Sequence, residues 1–222
     1  MNIAVAAASA MFTVNRVVYV RDHLRLGAAD VSLALGAYGG GSMVVALLLP
    51  RVLERVSDRT VMLRGALLLT AVFAGLGALT TAASGGWRWP VLLAVWAAFG
   101  AACSMVLTPT GRLIRRSAPP EQRTSAFAAQ FSLSHSCWLL TYPLAGWLGA
   151  AAGLQSAVVA LGLITLASGL LAVRLWPSGE QASPEHEHTD LHAGHPHLAD
   201  AERVPGGWRH SHHMVDALHG HH

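Results

Sequence analysis

Long stretches without a charged residue dominate this chain. Residues 31–50, 65–87, 89–111 and 124–173 contain no Asp, Glu, Lys or Arg. A helix needs about 20 mainly apolar residues to cross a bilayer, so each of the first three stretches fits one span. The fourth fits two spans, with a turn at the sequence GAAAGLQ (149–155). A soluble helix would need a polar face, which these segments lack. The chain is therefore predicted to be an integral membrane protein.

A further apolar segment precedes the first of these stretches. It runs from Asn2 to Val20 without a basic region before it, so we interpret it as a retained span and not as a signal peptide. The predicted fold class is all-α, a polytopic membrane bundle of six transmembrane helices within residues 1–176. The predicted spans are residues 2–20, 31–53, 61–83, 90–111, 124–149 and 153–176.

The arginines between the spans predict the orientation of the bundle. If the first helix starts in the cytoplasm, nine arginines lie on that side: Arg51, Arg55, Arg59, Arg64, Arg112, Arg115, Arg116, Arg123 and Arg174. The opposite side holds four, which are Arg16, Arg21, Arg25 and Arg88. Basic loops stay in the cytoplasm, so both termini are expected there, in a bacterial-type cytoplasmic (inner) membrane. Because the basic residues belong to these loops, no nucleic-acid partner is predicted.

Residues 177–222 have a different character and are predicted to be a disordered or weakly ordered cytoplasmic tail. The tail holds eleven of the thirteen histidines. Neutral imidazole binds Ni(II) and Zn(II), and closely spaced histidines let a flexible chain wrap one ion. No cofactor is required, but the tail is a candidate site for a divalent metal. The candidate ligands are His186, His188, His192, His195, His197, His210, His212 and His213.

Two loops carry a family resemblance. The first is PRVLERVSDRTVMLRG (50–65), and the second is LTPTGRLIRRSAPPEQRTSAFAAQFSLSH (107–135). The first resembles the Asp-Arg loop of major facilitator superfamily transporters, and the second resembles the loop before their eleventh helix. Together with the topology, they make residues 1–176 similar to the C-terminal six-helix half of that family.

The resemblance implies a secondary transporter present as a half-length or truncated chain. Family members carry two six-helix halves around a central site. The expected partners are therefore the lipid bilayer, a small-molecule or ion substrate, and either a missing N-terminal half or a second copy of the chain. The resemblance also implies a gating loop, formed by Asp58, Arg59 and Arg55.

Polar residues inside the spans are candidates for the transport path, because burying them in a membrane is costly. Those on the first, second and fourth spans are Thr13, Asn15, Arg16, Tyr38, Ser42, Ser104 and Thr108. Those on the fifth are Gln130, Ser134, His135, Thr141 and Tyr142.

Two of the spans carry more specific signals. His135 titrates near neutral pH and is the candidate for proton coupling. The alternative is a neutral histidine bonded to Ser132, Tyr142 or a backbone carbonyl. On the second span, the spacing of Gly36 and Gly40 predicts close packing against another helix.

These features favour a proton-coupled efflux permease, and the tail favours divalent metal ions as its substrate. Efflux of small organic or drug-like compounds is one alternative, and a non-functional fragment with a metal-buffering tail is another. A cation-diffusion exporter is disfavoured because the spans carry no Asp or Glu. An enzyme is not predicted, because no Gly-x-Ser-x-Gly surrounds Ser42 or Ser104.

Overall fold

The computed structural model describes residues 1–176 in full and, beyond them, the backbone of residues 185–188, 202–204 and 207–211. The chain divides into two compact units, Met1–Trp176 and Pro177–His222. The first unit is a helical bundle.

The bundle consists of six long helices joined by short connections. The helices are α1 (Asn2–Val18), α2 (Ala28–Leu53), α3 (Asp58–Thr81), α4 (Arg88–Ser117), α5 (Arg123–Ala151) and α6 (Leu154–Leu175). A π-helical turn (Tyr19–His23) extends α1, and a 3₁₀ turn (Pro120–Gln122) precedes α5.

Local sequence signals set the ends of these helices. The Asp30 carboxylate accepts a hydrogen bond of 3.0 Å from the Gly27 N–H at the start of α2. The Ser57 hydroxyl caps α3 by accepting from the Thr60 N–H at 3.3 Å. Gly153 separates α5 from α6 with a φ of 83°, a conformation that glycine adopts at little cost.

Within residues 1–176, five helices are long and apolar enough to cross a membrane: Asn2–His23, Ala28–Leu53, Asp58–Thr81, Arg88–Ser117 and Leu154–Leu175. The predicted spans are confirmed for these five. Helix α5 has 29 residues but is not among these five. Gln130, His135 and the serines at 132, 134 and 136 lower the mean hydropathy of its first half. The crossing by α5 stays a prediction.

The core of the bundle is aromatic. Phe12 on α1 stacks on Tyr38 at 4.2 Å between ring centroids and meets the edge of Trp96 at 5.1 Å. Phe99 packs against both Trp96 and Phe73, which joins α3 to α4. These rings hold the middle of the bundle together, whereas large apolar side chains on α2, α5 and α6 remain exposed.

Helices α2 and α4 pack most closely, at two glycines. A Cβ atom on Gly41 would lie 1.9 Å from the carbonyl oxygen of Ala97, and one on Gly100 would lie 2.0 Å from that of Tyr38. The predicted contact at Gly36 and Gly40 is wrong within residues 1–176, because a Cβ at either would meet nothing within 4 Å. The face of α2 that meets α4 instead carries Gly41 and Ser42, the latter bonded to Ser104.

The second unit contains three short strands, β1 (Glu185–His188), β2 (Glu202–Val204) and β3 (Gly207–Ser211). They form an antiparallel sheet in the order β1-β3-β2. Outside these segments, the prediction of a disordered or weakly ordered tail falls on residues that the structure does not describe. Short strands can pair through backbone hydrogen bonds without the apolar core that the tail composition lacks.

Candidate transport site

A pocket of about 530 Å³ lies between α4 and α5, in the halves of these helices nearest their connecting loop. It brings together three of the predicted path residues, Gln130, Ser134 and His135. Its lining is otherwise mainly apolar, with residues from both helices. They are Leu107, Thr110, Gly111 and Ile114 on α4, with Phe127, Ala128, Gln130, Phe131, Ser134 and His135 on α5.

The imidazole of His135 has a defined hydrogen-bond state. Its Nδ1 lies 2.8 Å from the carbonyl oxygen of Phe131, which can only accept, so Nδ1 is the donor. In the neutral ring Nε2 is then an acceptor. The ring packs on Phe131, with 3.8 Å between the ring centroids. Of the alternatives considered from sequence, the structure selects the backbone carbonyl as the partner.

Gln130 is held by a reciprocal amide pair with Asn2 at the start of α1. Gln130 Nε2 donates to Asn2 Oδ1 at 2.9 Å, and Asn2 Nδ2 donates to Gln130 Oε1 at 3.3 Å. The pair orients the amide and leaves one N–H and one oxygen lone pair of Gln130 for a ligand.

The remaining candidates on α1 and α5 form the contact between these two helices. Asn15 is buried and donates to the carbonyl oxygen of Ala145 at 3.4 Å. The Tyr142 hydroxyl donates to Thr13 at 3.4 Å. Thr141 is also buried and donates to the Cys137 carbonyl of its own helix. The bonds of Asn15 and Tyr142 join the two helices, and all of these residues lie outside the pocket.

Ser42 and Ser104 connect α2 to α4. Their hydroxyls lie 2.7 Å apart, and Ser104 also lies 3.0 Å from the Ser42 carbonyl oxygen. The Ser104 hydroxyl donates to the Ser42 carbonyl oxygen, and the two hydroxyls are within hydrogen-bond distance of each other. These bonds lie beside the close contact of α2 and α4 at Gly41 and Gly100.

The candidates Tyr38, Arg16 and Thr108 are placed separately. Tyr38 and the Arg16 guanidinium both pack on Phe12, the latter 4.7 Å from its ring centroid. Thr108 is exposed on α4 and does not line the pocket.

The predicted gating residues lie where α3 begins. The buried carboxylate of Asp58 forms ion pairs with Arg116 at 3.2 Å and Arg112 at 3.7 Å, both at the end of α4. Arg59 donates to the carbonyl oxygen of Trp176 after α6. Arg55 is exposed in the turn before α3. Asp58 thereby ties α3 to the end of the helix that lines the pocket.

The predicted metal ligands fall outside the part of the tail that the structure describes, except for the backbone of His186, His188 and His210. In that backbone, His186 is paired with His210 across β1 and β3. Among residues 1–176, no group of three His, Cys, Asp or Glu side chains is placed to hold a metal ion.

Three features in or beside the pocket were not predicted from the sequence. Asn2 was overlooked because it stands 128 residues from Gln130, its partner. Phe127 and Phe131 line the pocket, but an apolar side chain in an apolar segment gives no functional signal in the sequence. Arg115 was counted only for orientation, although its guanidinium lies 4.0 Å from the position of a Cβ on Gly111, which lines the pocket. The spacing of 107, 111 and 115 along α4 was the available signal.

Long apolar helices with a pocket that holds a few polar groups between two of them are compatible with a membrane transporter. The family model of the Major Facilitator Superfamily matches residues 1–213. The chain belongs to this superfamily, a family of membrane transporters, and is an integral membrane protein. The match covers the whole bundle and extends into the tail. None of the curated proteins compared with the chain matches it.

Proposed function

We propose that the chain is the six-helix half of a proton-coupled efflux permease whose substrate binds between α4 and α5. The observation that carries the proposal is the pocket of about 530 Å³ in which Gln130, Ser134 and His135 converge. Its volume lies in the range of small-molecule sites, and its few polar groups among apolar walls fit an organic ligand.

The outer surface of α5 supports a water-filled path on this side of the bundle. Ser132, His135 and Ser136 are exposed, among exposed apolar residues such as Phe131 and Leu139. Exposed polar side chains in a membrane segment usually face a cavity or another protein surface, since facing lipid is costly. We propose that a second six-helix half covers this face, supplied by a longer chain or by a second copy.

His135 is the proposed coupling residue. Protonation at Nε2 adds a positive charge to the wall of the pocket. Proton occupancy and substrate occupancy therefore change each other's affinity, and this linkage is reciprocal. Asp58, with Arg112 and Arg116, is proposed to hold the cytoplasmic end of α4 in one of the two states that transport alternates between.

The lining favours organic compounds over metal ions as the transported substrate. Divalent metals are bound by several oxygen, nitrogen or sulfur ligands together. Among the described residues that line the pocket, His135 is the only titratable side chain that could bind a metal ion, and the aromatic rings offer no metal ligand.

Metal binding by the tail is a second candidate function. The closely spaced histidines favour it, and the backbone register brings His186 and His210 to the same position of the sheet. Ni(II) or Zn(II) held there is proposed to be buffered or sensed, separately from the substrate in the pocket.

Cysteine accessibility tests the transport path without a known substrate. Ser134→Cys is placed in a chain in which Cys103 and Cys137 are alanine and is treated with a membrane-impermeant thiol reagent. Thiolates form only in water, so rapid modification in inside-out vesicles is expected. Opening to the other side predicts modification in right-side-out vesicles as well, with a dependence on pH beyond that of thiol ionisation, and only this additional dependence should be lost in His135→Gln.

Leu171→Cys on α6 is the matched control. Leu171 is exposed on the apolar surface and is expected to face lipid, where a thiol reacts slowly. Modification of Ser134→Cys as slow as that of Leu171→Cys, from both sides, would mean that the pocket is filled by lipid and would refute the proposed path.

A further inference from the structure

We propose that the α4–α5 pocket binds amphipathic organic anions, with the acid group on Arg115 and the apolar body between the phenylalanines. This inference rests on the proposed function, because it names the substrate class of the same pocket. It adds Arg115 as a specificity-determining residue.

The geometry of α4 places Arg115 at the rim of the pocket. Leu107 and Gly111 line it and stand at intervals of four residues, so Arg115 continues the same helix face one turn nearer the α4–α5 loop. Its Nη2 atom and Cε1 of Phe127 each lie 4.0 Å from the position of a Cβ on Gly111. The missing side chain of Gly111 leaves the space between the guanidinium and the aromatic wall open.

Arg115 is available to a ligand. Its neighbours Arg112 and Arg116 both pair with Asp58, whereas among residues 1–176 Arg115 has neither a hydrogen bond nor an ion pair. A guanidinium presents several N–H donors in a plane that matches a carboxylate. One turn further inside the pocket, the lining becomes apolar at Phe127, Phe131 and Ile114.

The charge of the pocket excludes the opposite class of ligand. No Asp or Glu stands among the described residues that line it, so a cationic compound would have no counter-charge and would face Arg115. A membrane potential that is negative inside also favours outward movement of an anion, in keeping with the proposed export.

Two sources share the chemistry of an apolar body with one negative group: a free organic acid and an anionic lipid. A free acid is the proposed ligand. Binding of a free acid to the purified full chain is measured in phosphatidylcholine nanodiscs and again with part of the lipid replaced by phosphatidylglycerol. The comparison of the two measurements distinguishes the two sources.

Calorimetry with three probes of the same apolar body tests the proposal: 4-phenylbutyrate, 4-phenylbutanol and 4-phenylbutylamine. At pH 8 the acid and amine probes are both charged, and Arg115 is the cation under test. We expect the acid to bind about tenfold more tightly than the alcohol, the amine to bind most weakly, and Arg115→Gln to abolish the preference. Arg51→Gln, an exposed arginine on the same side, is the matched control and is expected to keep it.

Gly111→Leu separates the proposal from the proposed function, because its side chain fills the pocket and is expected to weaken all three probes. Equal binding of the three probes, lost in Gly111→Leu, would overturn the anion proposal and leave the pocket as the site. Tightest binding by the amine would do the same. No binding of any probe would overturn both. Loss of acid binding in phosphatidylglycerol would assign Arg115 to lipid and overturn its assignment to a substrate.

Discussion

Substitution of two adjacent glycines on α2 should have opposite consequences. Gly41→Ala introduces a Cβ 1.9 Å from the carbonyl oxygen of Ala97 and 2.9 Å from its Cα. Gly40→Ala introduces the same atom where nothing lies within 4 Å. The two variants are chemically identical and differ only in the face of α2 that they occupy.

The geometry gives the size of the effect. To bring the new contact of Gly41→Ala from 1.9 Å to about 3 Å, α2 and α4 must separate by roughly 1 Å. Overpacking of this kind costs about 1–3 kcal/mol. The same movement stretches the hydrogen bonds of Ser104 with Ser42, now 2.7 and 3.0 Å long, each worth about 0.6 kcal/mol in a membrane bundle. We expect Gly41→Ala to lower the free energy of unfolding by about 2–4 kcal/mol. Gly40→Ala should leave it unchanged or raise it by up to about 1 kcal/mol.

Unfolding of the purified chain in mixed micelles by dodecyl sulfate, followed by tryptophan fluorescence, measures both values, since Trp96 is buried in the core. Gly100→Ala should resemble Gly41→Ala, and Gly75→Ala, which meets nothing within 4 Å, should resemble Gly40→Ala. Equal losses in Gly40→Ala and Gly41→Ala would refute the assigned rotation of α2.

Three further measurements test other parts of the molecule. Asp58→Asn should lower the free energy of unfolding by about 1–2 kcal/mol in the same assay, because Arg112 and Arg116 lose their buried carboxylate partner but remain partly hydrated. Asp22→Asn, at an exposed position, should change the free energy of unfolding little. Reporter fusions at Arg59, Pro119 and Gly179 should be cytoplasmic and those at Gly27 and Gly85 external, and a cytoplasmic reporter at Gly85 would contradict the orientation. The full chain should bind Ni(II) more tightly than a chain ending at Pro177, and this gain in affinity should fall roughly 100-fold for two histidine ligands between pH 7.5 and 5.5, because protonation near pH 6.5 removes the neutral imidazole; an equal gain at both values would point to carboxylate ligands.

The polar half of the candidate site was accessible from the sequence. Gln130, Ser134 and His135 stand out because polar groups in an apolar segment are costly whatever surrounds them. Their neighbours in space were not accessible in this way. Asn2 belongs to another helix, and nothing in its local sequence indicates that it meets α5. Arg115 shares a face of α4 with Leu107 and Gly111, but its sequence does not show that this face lies beside α5.

The number of long helices follows from the sequence by itself, and their ends do so to within about three residues, except that α4 continues six residues beyond the predicted span, to Ser117. A segment in a bilayer must satisfy its own backbone hydrogen bonds and remain apolar for about 20 residues, and both requirements are local. α5 shows the limit of this rule, because the polar residues that make it the wall of a pocket also weaken its signal as a span.

Which faces of these helices meet was decided only by the tertiary structure. The glycines at 36, 39, 40 and 41 do not all lie on one face of α2, and their spacing permits close helix packing through more than one face. The rotation of α2 depends on contacts with other helices, such as the stacking of Tyr38 on Phe12 and the serine pair with α4. In the same way, the ion pairs of Asp58 leave Arg115 beside the pocket. Helix rotation is a property of the whole bundle, since each helix finds its orientation only against all of its neighbours.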